Sequence, residues 1–200
     1  IKAARLPRND LLTVNNLEAI EKPAAVFFAS DQSDARRIFH GRGHLFPGLE
    51  HVCIDWFRPL VLITAHAAID HIEGLTEILL RADERKQIRT IVLQNRFERG
   101  APAQTIYGEA AGPVVANEGS LRFDVHPGTQ QNTGLFLDMR CLRDWLLENS
   151  LDANVLNLFA YTCSLSVAAL AGGARSVTNV DMSKTSIKWG EENHTLNQQD

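Results

Sequence analysis

Apolar residues in the first half of the chain fall into short runs that polar, glycine- or proline-containing segments separate. These runs predict strands over residues 24–29, 36–40, 50–56, 59–64 and 88–93. Residues 65–82 instead repeat their apolar side chains at helical spacing, which predicts a long amphipathic helix. A shorter amphipathic helix is predicted over residues 11–20. The first half therefore predicts a small mixed α/β domain.

The second half of the chain has a different order of elements. Residues 114–116 and 121–125 predict a hairpin whose turn is residues 117–119, and Asp138 is the predicted N-cap of the helix that follows. An apolar run at residues 154–159 predicts a parallel strand that is buried on both faces. The elements after it are a helix over 165–170, a strand over 176–180 and a helix over 183–196 that Ser183 caps. This β-α-β-α order is typical of a doubly wound sheet.

The predicted fold class is α/β, with two domains. The boundary lies in the glycine- and alanine-rich residues 107–113, so that residues 1–110 form a small mixed α/β domain. Residues 111–200 form the first part of a doubly wound, Rossmann-like sheet that is truncated at Asp200. Such a sheet needs about five or six strands. Since only two of its parallel strands are predicted, we expect the chain to be part of a longer protein.

Composition narrows the class of protein. Hydrophobic residues make up 44% of the 200 and charged residues 22%, as in a globular protein that buries a core. The net charge of −4 argues against a generally basic nucleic-acid binder but leaves room for a local basic groove. No apolar run approaches the roughly 20 residues of a membrane span. The three cysteines are far apart, which fits a reducing cytoplasm and predicts no metal site.

A candidate nucleotide site lies at the turn of residues 160–164. This turn directly follows a predicted strand, and Asp181 ends the next strand about 20 residues later, where a nucleotide-binding βαβ unit places its ribose-binding acid. A plain strand–helix connection is the alternative, because the turn lacks the G-x-G-x-x-G pattern and has Cys163 where a glycine is expected. Residues 130–140 are equally compatible with the entry to a helix, bent at Gly134, and with a lid over a ligand.

Basic residues are also candidates for ligand contacts. Seven of them could form a surface that follows a phosphate backbone, or could be solvated charges: Arg36, Arg37, Arg42, Lys86, Arg89, Arg96 and Arg99. Five histidines show no shared metal spacing and are interpreted as surface residues: His40, His44, His51, His66 and His71.

Four segments of the second half resemble one known family. They are NTGLFLDMR at residues 132–140, LNLFAYT at 156–162, GGARSVTNVDMSKT at 172–185 and WGEENHTLN at 189–197. Together they resemble the class I S-adenosylmethionine-dependent methyltransferases, in the bacterial group that acts on guanine N7 and cytosine C5 of 23S ribosomal RNA. Residues 41–56 are more loosely similar to the small domain that precedes the catalytic domain in this group.

The resemblance implies a set of residues that bind S-adenosylmethionine. Phe159, Tyr161, Thr162 and Ser164 would surround its methionine part, Asp181 would bind its ribose, and Met182 would lie beside that acid. Thr133, Gly134, Leu135 and Phe136 would close over the cofactor, while Asp138 and Arg140 would fix that lid. The family usually has glycine at position 163, where this chain has cysteine. Its Asp-Pro-Pro motif near the target base does not occur in the sequence, so the catalytic residues and the target atom remain unknown.

The function that we expect is therefore methylation of a base in ribosomal RNA, with S-adenosylmethionine as cofactor and RNA as partner. We expect a cytoplasmic protein with no metal and no membrane partner; the oligomeric state is left open, a homodimer included. Two alternatives remain. One is an RNA-binding module with a degenerate, non-catalytic methyltransferase half, and the other is a dinucleotide-binding α/β protein.

Overall fold

The computed structural model describes residues 14–199. Its first half is a five-stranded sheet, β1 to β5 in spatial order: Arg36–His40, Val52–Phe57, Leu60–Ala65, Thr90–Asn95 and Ala103–Gly108. Strands β3 and β4 are parallel and all other neighbours are antiparallel. Two helices, α1 (Val14–Phe28) and α2 (Ile72–Ala82), accompany this sheet. Helix α2 is the crossover between the two parallel strands.

Both faces of the five-stranded sheet are covered. Every residue of β2 and β3 is buried. Alternate side chains such as Ile54 and Trp56 pack with Phe28 of α1 and Leu75 of α2 in one apolar cluster. Side chains on the other face of the sheet, among them Leu62, belong to a second cluster with apolar residues of the second half of the chain. The sheet therefore lies between a helix pair and the elements that carry the candidate site.

The second half contains two small sheets and three helices. Strands β6 (Val114–Glu118) and β7 (Leu121–Val125) form an antiparallel hairpin, and β8 (Asn154–Leu158) pairs in parallel with β9 (Ser176–Val180). The helices are α3 (Arg140–Asn149), α4 (Ser164–Ala171) and α5 (Lys184–Leu196). Because α4 connects the two parallel strands, the carboxyl ends of β8 and β9 meet at one edge of the sheet. The predicted β-α-β-α order is confirmed.

Most of the predicted elements are present, but two were wrong in kind or extent and one strand was missed. Residues 24–29 are the second half of α1 rather than a strand, because Leu17, Ile20, Ala24 and Phe28 recur at helical spacing and are all buried. The part of the predicted first helix before residue 14 lies outside the described residues. Helix α2 begins at Ile72 instead of residue 65. The exposed strand β5 was not predicted at all.

Three further corrections concern the second half. Asp138 is not an N-cap; it lies inside a short 3₁₀ turn, Leu137–Met139, that precedes α3. The hairpin turns at residues 119–120, since Asn117 and Glu118 belong to β6. Strand β8 is not buried on both faces, because Leu156 is 62% exposed and Leu158 is 55% exposed. Ser183 does cap α5, its hydroxyl accepting a hydrogen bond from the backbone N–H of Ser186.

Candidate functional site

The turn after β8 has an unusual backbone. Phe159, Tyr161 and Cys163 have φ angles of 56°, 48° and 59°, so three residues with side chains occupy the left-handed region within five positions. This conformation costs roughly 1–2 kcal/mol per residue, and such strain clusters at functional sites. Two backbone hydrogen bonds hold the turn, from Ala160 N–H to Val180 O at 3.1 Å and from Cys163 N–H to Ala160 O at 2.8 Å. The turn is therefore fixed against the end of β9.

Asp181 lies directly beside this turn. Its carboxylate accepts hydrogen bonds from the backbone N–H groups of Ser183 and Tyr161, each at 2.8 Å. The bond from Ser183 and then that from Tyr161 hold the pKa of Asp181 below its usual value. Because Leu158 pairs with Val180, Phe159 and Asp181 follow the ends of β8 and β9 at matching positions. Phe159 is 90% exposed, and Met182, next to Asp181 in the chain, is 100% exposed. An acid and two exposed apolar residues thus occur together at the carboxyl edge of the sheet.

Cys163 replaces the glycine that the family resemblance leads one to expect. Its side chain is buried and lies against Gly190 of α5, where a Cβ atom would overlap the sulfur. Burial, reinforced by the nearby charges of Asp181 and Glu191, raises the pKa of the Cys163 thiol to about 11. Because the thiol is buried, the Cys163 side chain does not cover the outer side of the turn.

Residues 131–138, here called the lid segment, pack onto this turn. The Thr162 hydroxyl donates to the Gly134 carbonyl at 2.5 Å, and the rings of Phe136 and Tyr161 are 5.2 Å apart. Gly134 has a φ of +102°, and a Cβ atom on it would overlap the indole of Trp189. Glycine is therefore required here both by the backbone angle and by the close approach. The lid segment leads into the helix that follows it and also lies over the turn. Entry to a helix and a cover over the turn are therefore not exclusive.

Two arginines anchor the lid segment to the rest of the protein. Arg143 of α3 is fully buried, pairs with both carboxylate oxygens of Glu118 at 2.5 and 2.7 Å, and donates to the Phe136 carbonyl at 3.1 Å. Arg140 pairs with Asp34 at 2.8 Å, not with Asp138. Arg143 was not among the predicted site residues. Little in the sequence indicated this role of Arg143, because a charged residue in an amphipathic helix normally faces solvent.

One face of α5 carries further residues that sequence reasoning did not assign. Trp189 donates to the Asp124 carbonyl at 3.0 Å, and Asn193 accepts from Asp124 N–H at 2.8 Å while donating to the Thr162 carbonyl at 2.9 Å. Asn197 bonds both backbone groups of Arg122. These side chains satisfy the free edge of β7 and join it to the turn. Their spacing of four residues was the available signal, since buried amides on one helix face need partners.

The structure brings most of the predicted residues together around the turn. The lid segment contains Thr133, Gly134 and Phe136. The turn and the start of α4 contain Phe159, Tyr161, Thr162 and Ser164, and the end of β9 is followed by Asp181 and Met182. The Thr162 hydroxyl is already bonded within the protein. Asp138 is the last residue of the lid segment, and Arg140 is the first residue of α3. Across residues 14–199 no group of three metal-ligating side chains occurs, and no helix is long and apolar enough to cross a membrane.

Known proteins share both the sequence and the fold. A ribosomal RNA large subunit methyltransferase K/L of Colwellia psychrerythraea is 32% identical over 197 residues, which cover 94% of this chain and 27% of the relative. A ribosomal RNA large subunit methyltransferase of Deinococcus radiodurans is 31% identical over 190 residues, or 90% of this chain and 46% of the relative. The chain thus spans less than half the length of these two relatives.

A solved structure from Streptococcus mutans, described as a SAM-dependent methyltransferase, superposes with a TM-score of 0.75 at 25% identity. The match covers 98% of this chain and 51% of that one. A second solved structure, described as a methyltransferase complexed with SAH, matches with the same scores. A family model for S-adenosylmethionine-dependent methyltransferases matches residues 36–200, which include both the five-stranded sheet and the candidate site. With the strained turn, the acid at the end of β9 and the lid segment all inside that match, the chain belongs to the S-adenosylmethionine-dependent methyltransferase family.

Proposed function

We propose that this chain binds S-adenosylmethionine at the carboxyl ends of β8 and β9 and serves a methyltransferase that acts on ribosomal RNA. The observation that carries the proposal is the environment of Asp181. Its carboxylate has a lowered pKa, and the exposed residues Phe159 and Met182 lie at the same edge of the sheet. An ionised acid accepts hydrogen bonds from ribose hydroxyls. Exposed apolar groups at this edge suit an adenine ring, because covering them removes apolar surface from water.

The other predicted residues have complementary roles in this proposal. The turn of Tyr161 to Ser164 would hold the methionine part of the cofactor through the backbone N–H groups of Thr162 and Ser164, since those of Tyr161 and Cys163 are bonded within the protein. Phe136 and Thr133 would lie over it. Asp138, the last residue of the lid segment, and Arg140 would fix this segment, Arg140 through its pair with Asp34. S-adenosylmethionine supplies a methyl group that is already activated, so these residues chiefly position it.

The RNA substrate is proposed from two sources of support. The relatives from Colwellia psychrerythraea and Deinococcus radiodurans are both named ribosomal RNA large subunit methyltransferases. The first half of the chain, which we propose as a separate domain over residues 1–110, covers one side of the lid segment and would present the RNA. Enzymes that modify a base take it out of its stack, which requires a surface beside the cofactor that holds the strand. Such a protein acts on ribosomes, and we propose a cytoplasmic location.

Calorimetric titration with S-adenosylmethionine tests the cofactor assignment. We expect Asp181→Ala to weaken binding by about 10- to 100-fold, since hydrogen bonds to a charged group contribute roughly 1.5–3 kcal/mol. The matched control is Asp152→Ala, which removes an exposed acid in the turn before β8 whose only ion pair in the described residues is with Arg175 at 3.4 Å. Equal binding by both variants would count against the site.

A second variant separates ligand contact from structural loss. Asp181→Ala also removes the acceptor of Tyr161 N–H, whereas Met182→Ala leaves the turn unchanged because this side chain is fully exposed. We expect Met182→Ala to lower the affinity several-fold with an unchanged melting temperature. Titration with NAD is the comparison ligand. Binding of NAD in preference to S-adenosylmethionine would favour the dinucleotide-binding alternative instead.

A further inference from the structure

A polar cleft lies on the other side of the lid segment from the turn. Its walls are parts of β1 to β4 together with residues 131–138, and Tyr161 reaches it from the turn. The cleft has a volume of about 100 Å³. Pockets for drug-sized ligands usually measure roughly 300–1,000 Å³. The cleft is therefore too small for a nucleoside and of a size for a single small group.

The lining of this cleft is rich in basic side chains. Three guanidinium groups and two imidazoles come from β1, from the residues after it and from the residues that follow β3 and β4: Arg37, His40, Arg42, His66 and Arg96. The facing acids are Asp55 and Asp138. Asp55 is already paired with Arg37, through contacts of 2.7 and 3.1 Å. This pairing leaves Arg42 and Arg96 opposed by one exposed carboxylate, that of Asp138.

His66 lines the cleft together with the other basic side chains. Its pKa is lowered by burial first, and then by the charges of Arg42, Arg96, Arg37 and His40. The three arginines thus act on the same imidazole inside the cleft. A bound anion would relieve that mutual repulsion, because an opposite charge within a few ångströms favours the charged forms.

A second basic patch at the opposite end of the sheet provides a comparison. It contains Arg58, Arg85, Lys86 and Arg89, near the start of β3 and β4. A strand of six residues is about 20 Å long, so the two patches are about that far apart. Only the cleft adjoins the lid segment. Arg96 makes the connection directly, since its Nη2 donates to Asn132 Oδ1 at 3.0 Å.

We propose that the cleft binds a backbone phosphate of the RNA substrate, through Arg42 and Arg96 with His66 beside them. The identification of the ligand as RNA rests on the proposed function. The expectation that the ligand is an anion rests on the cleft itself. A phosphate fits the volume, offers several acceptor oxygens to guanidinium donors and carries the charge that the cleft lacks. The nucleotide attached to that phosphate then starts next to Tyr161 and Phe136. Holding the backbone there fixes the strand where a base has to leave its stack.

Salt-dependent binding of a single-stranded ribosomal RNA fragment tests the proposal. We expect Arg42→Gln and Arg96→Gln each to weaken binding about tenfold. Each should also reduce the slope of log affinity against log salt by about 0.7, the value for one phosphate contact on a single strand. Arg89→Gln is the matched control, because it removes the same charge from the distant patch. Equal losses for Arg42→Gln and Arg89→Gln would overturn the proposal.

Parallel titration with S-adenosylmethionine distinguishes the two proposals. Arg42 is an exposed residue without an ion pair among residues 14–199, so Arg42→Gln should bind the cofactor like the unmodified chain. A loss of cofactor affinity in this variant, with RNA binding unchanged, would assign the cleft to the cofactor carboxylate and refute a phosphate site. If neither protein binds the cofactor but Arg42→Gln still loses RNA affinity, the proposed function fails and the phosphate site stands.

Discussion

Gly134 offers the sharpest test of how the lid segment is held on the turn. Its backbone φ of +102° lies in the region that residues with side chains rarely adopt, and its Cα lies against the indole of Trp189. Replacing it by alanine introduces one methyl group at the tightest point of the site. The change affects no charge and no hydrogen-bonding side chain, so its effect reports on geometry alone.

The expected cost follows from two contributions. Alanine in a left-handed conformation costs roughly 1–2 kcal/mol. The overlap with Trp189 adds overpacking, which typically costs about 1–3 kcal/mol. Trp189 cannot move away freely, because it is buried, donates to the Asp124 carbonyl at 3.0 Å and stacks on His126 at 4.3 Å. We therefore expect Gly134→Ala to lower the free energy of unfolding by about 2–5 kcal/mol.

Urea denaturation measures this cost, and Gly100→Ala is its matched control. Gly100 also has a positive φ, +84°, but nothing lies within 4 Å of the position of its Cβ, so only the backbone contribution remains. The difference between the two variants isolates the contact with Trp189. In a Trp189→Leu background this difference should shrink, because the overlapping ring is gone. Equal costs for both glycine variants in the unmodified background would refute the packing of the lid segment described here.

Three further outcomes are expected. In urea denaturation, Glu118→Gln should lower the free energy of unfolding by about 3–5 kcal/mol, because it leaves the buried Arg143 charge unpaired. The double variant Glu118→Leu with Arg143→Met should recover most of that loss. The urea midpoint should fall as pH rises from about 9 to about 11, since the unfolded chain releases the Cys163 proton before the folded chain does. Cys163→Ala should flatten this pH dependence. In alkylation followed by mass spectrometry, the exposed Cys141 should react in the native protein and Cys163 only after unfolding, and rapid native labelling of Cys163 would contradict its burial.

The β-α-β-α unit was predicted well because its signals are local. Strand β8 ends in a tight turn, Gly172 is the C-cap of α4, and Ser183 caps α5 through its own side chain. The strand predicted over residues 24–29 failed because AAVFFA satisfies strand composition as well as a helix interior does. Only the longer register from Leu17 to Phe28 identifies it as helix, and that register extends across the predicted element boundary.

The cleft could not have been predicted from spacing along the chain. His66 and Arg96 are 30 positions apart and meet because Ala65 pairs with Asn95 at the ends of two parallel strands. The histidines were interpreted as scattered surface residues, yet His40 and His66 line the same cavity. The basic residues were treated as one group, whereas the sheet separates them to its two ends. Strand pairing, which the local pattern does not encode, decides which of these side chains share a site.

The lid segment is the wall that the two proposed sites share. On one side Gly134 accepts from Thr162 of the turn, and on the other Asn132 accepts from Arg96 of the cleft. His126 N–H also donates to the Thr133 carbonyl at 2.8 Å, which ties the same residues to the end of β7. A ligand that orders these residues from one side reduces the entropy cost of ordering them when the other ligand binds. Since such coupling is reciprocal, we expect cofactor and RNA to raise each other's affinity by the same factor.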